Sequence, residues 1–217
     1  EGNAWWNTVA SSQEIFQVAQ WPSGLSILLD QAVQASWSHH SAKQVEVIAA
    51  LVNGFLGKTS QNLSGLPPAA TFNFLVALAC EMNATQQLQI PIEKAQTIYA
   101  NVIPQTHNMH LIRLKDILVP GLVSQSGILG LVGFESPIYF HYFLAIAILK
   151  SLQSNDSTTS NPLYYRRMPV ALLQDVVQLG VKEEHLWSLI ESTRGKSSED
   201  VGFIGGNCIS LLRLLNA

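Results

Sequence analysis

The residues whose types could do chemistry are few and scattered. Val52-Asn-Gly-Phe-Leu-Gly-Lys-Thr59 ends in Gly57-Lys58-Thr59, as a phosphate-binding loop does. Such a loop needs a glycine where Val52 stands. It also needs a strand before it and a helix after it, so that backbone N–H groups converge on phosphate. Here a capped amphipathic pattern precedes and a Ser/Asn/Gly/Pro cluster follows. The segment therefore reads as a helix end, with Gly57 just past the last turn and Lys58 near the negative terminus. His39-His40 are adjacent and point to different sides. His107 and His110 have i, i+3 spacing but lack a third ligand and the Glu of His-Glu-x-x-His,. Glu183-Glu184 and Glu199-Asp200 read as solvated charges at helix starts. Arg166-Arg167 is too small a basic patch for a DNA reader. Trp5-Trp6 and Trp21 read as packing aromatics. The cysteines, Cys80 and Cys208, match no zinc or redox spacing and read as buried or half-buried free thiols,. Sequons at Asn62, Asn83 and Asn155 read as accidental,. No catalytic group, cofactor or metal site is predicted.

Composition narrows the function classes. Charged residues make up 12% of the 217 and hydrophobic ones 47%; about 25% charged is usual. A surface so poor in charge suits a chain covered in part by other domains or subunits. The net charge of -3 offers no general attraction to nucleic acid or anionic membranes,. No apolar run reaches the ~18 residues of a membrane span; the nearest, Ile138 to Leu149, is interrupted by His141. A start at Glu1, without methionine or signal peptide, predicts an excised or processed fragment,, and two free thiols point to a reducing cytoplasm.

The elements that must position these residues are helices. Capping boxes at Ser11–Glu14 and Ser41–Gln44 open two of them. Ile15, Phe16 and Ala19 follow the first; Val45, Ile48, Val52 and Phe55 follow the second. Leu25, Leu28, Leu29, Ala32 and Val33 form a stripe between them. Phe72, Leu75, Val76 and Ala79 define a further helix, ended by the stretch from Asn83 to Gln89. Pro91 opens the next, with Ile92, Ala95, Tyr99 and Val102 inside. Leu111, Leu114 and Leu118 mark another, stopped by Pro120-Gly121,. Ser126-Gly-Ile-Leu-Gly-Leu-Val-Gly133 reads as a turn-rich hairpin. Ser136 and Pro137 then start a very apolar helix with Phe140, Phe143, Leu144 and Ala147 on one face. Residues 153–161 are polar and aperiodic, a solvated loop or linker. Pro169 opens a helix with Leu172, Leu173, Val176 and Val177, and Gly180 is its C′ residue. Leu186, Leu189 and Ile190 give the next, Gly195 to Asp200 a loop, and Ile209, Leu212 and Leu215 the last.

The stretch Phe134-Glu-Ser-Pro-Ile-Tyr-Phe-His-Tyr-Phe-Leu-Ala145 resembles the C-terminal edge of the winged-helix region in NACHT-type signalling NTPases. There a strand pair ends in Phe-x-His-x-Ser/Thr-Phe-x-Glu-Tyr/Phe-x-Ala-Ala. Ser12–Pro22 with Leu25–Leu29 is similar to the helical segment after the NACHT core. Phe72–Met82 with Leu88-Gln-Ile-Pro-Ile-Glu93 is similar to the opening of the winged-helix part. Gly202-Phe-Ile-Gly-Gly-Asn-Cys-Ile-Ser-Leu-Leu212 resembles a Gly-Gly-Asn-x-x-x-Leu-Leu tract in bacterial relatives. The family's phosphate-contacting histidine falls at Ser136, and its glutamate at His141. A serine hydroxyl cannot bring the positive charge that pairs with phosphate. Ser136 is thus a degenerate sensor position; a shifted register would make His141 the sensor and break the Phe134 and Pro137 matches.

The fold expected is all-α, an irregular multi-helix array with a winged-helix-like middle part holding one small β-hairpin. Residues 1–65 would adjoin an absent NTPase core, 66–152 would be winged-helix-like, and 153–217 a small helical module after the polar linker. The resemblance implies a non-catalytic segment of a STAND-class signalling ATPase that relays conformational state and oligomerisation. Its partners would be protein: its own NTPase and sensor domains, and further copies of itself. Nucleic acid and membrane are not expected. The alternative is a free-standing helical interaction scaffold.

Overall fold

The computed structural model describes residues 9–10, 13–20, 22–34, 43–62, 68–102, 118–119, 121–126 and 130–217. The chain is mostly helical, with one small antiparallel sheet. Two compact units form: one from 1–78 and 88–140, the other from 79–87 and 141–217. No helix among the described residues is long and apolar enough to cross a membrane.

In the first unit, α1 (Gln13–Ala19), α2 (Pro22–Gln34) and α3 (Gln44–Asn62) follow one another, with α2 packed on both neighbours. The predicted face of α3 is buried at Val45, Ile48, Val52 and Phe55. At the start of α3 the Glu46 carboxylate accepts the Lys43 backbone N–H at 3.1 Å,, and the expected box at Ser41–Gln44 lies partly outside the described residues. Ser11, Ser12, Ser41, Ala42 and Trp21 lie outside the described residues. Of the predicted stripes, Ile15, Ala19 and Leu28 are buried, Leu25 is half-buried, and Phe16 and Leu29 are exposed, while the side chains of Ala32 and Val33 lie outside those described. Short helices bury a single line of side chains, and an apolar neighbour of that line is left at the rim.

The sheet holds one strand more than the predicted hairpin. β2 (Val123–Ser126) pairs antiparallel with β3 (Leu131–Phe134), and β1 (Gln89–Pro91) pairs antiparallel with the other side of β3. The order β1-β3-β2 places β3 in the centre. β1 is too short to show a period, and Pro91 is tolerated because β1 is an edge. Gly133 makes the close pairing feasible: a Cβ there would stand 2.8 Å from the Leu88 carbonyl oxygen and 2.9 Å from Gln89 Cγ. Ile90 and Val132, register partners, are both buried. α5 (Ile92–Val102) follows β1 directly and buries Ala95 and Ile98. Of the predicted helix around Leu111, Leu114 and Leu118, only Leu118 falls among the described residues.

α4 (Pro68–Thr85) and α6 (Pro137–Gln153) each have residues in both units. α4 runs two residues past the predicted break at Asn83 and closes at Gln86, whose φ is +56°. Gln87 N–H donates to the Met82 carbonyl at 3.0 Å and Gln86 N–H to that of Asn83 at 3.2 Å, the bonding of a left-handed helix stop,. A left-handed non-glycine residue costs roughly 1–2 kcal/mol, and glycine's extra freedom costs roughly 0.5–1 kcal/mol. Gln86→Gly should therefore raise stability by about 0.5 kcal/mol in urea unfolding, and Gln86→Val should lower it.

The second unit continues from α6 through a 3₁₀ turn (Pro162–Tyr164) to α7 (Val170–Gln178), α8 (Glu183–Thr193), the short α9 (Ser198–Val201) and α10 (Ile204–Leu215). α10 packs on α7 and α8. Gly180 is the C′ residue of α7 as predicted, with φ +91°. The expected loop at 195–200 is partly helical: Ser197 and Asp200 form a reciprocal capping box that opens α9,.

Candidate functional site

The sequence motif most like a nucleotide loop has no loop geometry. α3 runs unbroken through Gly57, Lys58 and Thr59 to Asn62, so the expected stop at Gly57 is overturned. A helical backbone spends its N–H groups on its own carbonyls, and none is left to converge on phosphate. Gly54 serves packing instead: a Cβ there would collide with Ile27 Cγ2 on α2. Ser136 precedes α6 as its cap, its hydroxyl accepting from Ile138 N–H at 3.4 Å and its carbonyl from Tyr139 N–H at 3.1 Å,. His141 stands half-buried in the body of α6. His39, His40, His107, His110, Trp5 and Trp6 lie outside the described residues. Among the described residues no group of three His, Cys, Asp or Glu could hold a metal.

The thiols are placed as read, Cys80 half-buried and Cys208 buried, both free. Burial pushes Cys80 up to about 11, against the charge of Lys150 and with that of Glu81. Burial alone pushes Cys208 up to about 12. Both are thereby poor nucleophiles at neutral pH.

The most organised polar cluster lies in the second unit, and sequence reasoning did not find it. Three fully or almost fully buried asparagines, Asn83, Asn161 and Asn207, tie down the strap 161–168 between α6 and α7. Asn161 caps the 3₁₀ turn by accepting Leu163 N–H at 2.9 Å, and its amide donates to the Asp156 carbonyl at 2.6 Å. Asn83, from the end of α4, donates to the Pro162 carbonyl at 2.9 Å. Its oxygen accepts Arg166 Nε–H at 3.1 Å. Asn207, from α10, donates to the carbonyls of Leu163 at 2.9 Å and Arg166 at 2.8 Å, and accepts Met168 N–H at 2.9 Å. Strap backbone that cannot reach water is thus paired with side chains, as buried amides must be. The sequon at Asn83 is closed to modification by this burial.

The far side of the strap is fixed as well. The Tyr164 hydroxyl donates to the Glu199 carbonyl, and the Tyr164 carbonyl accepts Phe203 N–H at 3.0 Å. Gly202 lies against it with φ +52°, where a Cβ would strike the Tyr164 carbonyl oxygen,. The run before the strap, predicted as a solvated loop or linker, is a largely exposed, hydrogen-bonded turn. Asp156 Oδ1 accepts Thr158 N–H at 2.9 Å and Thr158 Oγ1–H at 2.6 Å, while Oδ2 accepts Ser160 Oγ–H at 2.7 Å. Burial alone would raise the Asp156 carboxyl. The bonds from Ser160 and Thr158 outweigh it and hold the group below its ordinary range. One carboxylate surrounded by hydroxyls supplies the order that apolar anchors do not.

No family model, curated protein or solved structure matches the chain. Chemically, the strap can present side chains in a fixed geometry.

Proposed function

We propose that this chain is a non-catalytic interaction segment that relays conformational state and oligomerisation, of the kind that follows the nucleotide-binding core in NACHT-type signalling ATPases. The observation that carries the reading is the order of elements from α4 to β3. A helix, a short strand, a second helix and a hairpin follow one another, with the first strand added beside the last, and this order supports the winged-helix part of the reading. The helices of the first unit precede it, as the family's helical segment would. The low charge of the chain, 12%, suits surfaces that other domains cover,. Ser136, used as a helix cap, leaves this segment to transmit a nucleotide state set elsewhere.

Two measurements test this. Calorimetry of the 217-residue chain with ATP and ADP should show no binding tighter than a Kd of about 100 μM, roughly 5 kcal/mol,. The reading frame that encodes the chain should specify, upstream, Gly-x4-Gly-Lys-Ser/Thr between a strand and a helix. Tight ATP binding abolished by Lys58→Ala, or an upstream sequence without such a loop, overturns the proposal.

A further inference from the structure

We draw no further inference here: the strongest candidate, the exposed apolar surface that Trp187 on α8, Phe203 at the start of α10 and Ile209 on α10 give the second unit, carries nothing, since nothing in the structure shows what covers it.

Discussion

Asn207→Ala is expected to lower the unfolding free energy of the second unit by on the order of 4 kcal/mol. The amide of Asn207 makes three hydrogen bonds to strap backbone, to Leu163, Arg166 and Met168. Alanine removes the partner and leaves those backbone groups without one. Each buried orphan costs roughly 1–3 kcal/mol, well above the roughly 1 kcal/mol that making such a bond contributes. Asn207→Asp separates the contributions: it keeps an acceptor for Met168 N–H, loses both donors and adds a buried charge, so it should be no milder than alanine. Urea unfolding followed through Trp187 on α8 reads the effect. A loss below about 1 kcal/mol for Asn207→Ala would mean that water replaces the asparagine and that the strap is not rigid.

Phe143→Ala should cost about 3–5 kcal/mol, the usual penalty for emptying a buried phenylalanine site. Phe143 is fully buried in α6, beside Tyr142 at 5.4 Å, and Leu144 next to it is fully buried as well. Phe140, at 4% exposure, completes the predicted face. Domains of this size carry only about 5–15 kcal/mol of stability, so the variant should be unfolded or nearly so at physiological temperature. Phe143→Leu, which fills most of the volume, should recover more than half of the loss. Chemical denaturation decides it; a change under about 1 kcal/mol for Phe143→Ala would place that ring against solvent.

Helices were legible where the apolar period was long and its stops were chemical. Pro137 and the Phe140-Phe143-Leu144 face fixed α6, and Leu172, Leu173 and Val176 with Gly180 fixed both the face and the end of α7. These signals are local: a side-chain period and a residue able to adopt positive φ. A single glycine was a weaker guide. Gly57 did not end α3, because a helix interior tolerates glycine at a cost of only about 1 kcal/mol when its other faces are well packed. In α10 the apolar residues alone pointed to Ile209, Leu212 and Leu215. The buried line is instead Ile204, Asn207, Cys208, Leu211 and Leu212, and Ile209 is exposed.

That shift marks the division. The sequence by itself determined the helical class, the strong amphipathic faces, the β2–β3 hairpin and the free, half-buried or buried thiols, because each follows from neighbours within a few positions. Tertiary structure alone decided that the Gln89–Pro91 segment becomes a strand, since three residues gain order only by pairing with β3,. It alone decided that Asp156 gathers Thr158 and Ser160 into a turn. It also decided that Asn83, read as the start of a helix end, and Asn207, noted only within the Gly-Gly-Asn tract, are the centre of a buried polar cluster. An asparagine on an apolar face carries the same sequence signal whether it is stranded or satisfied. What distinguishes the two is the strap backbone at Pro162, Leu163, Arg166 and Met168, which folding brings within 3 Å of those amides,.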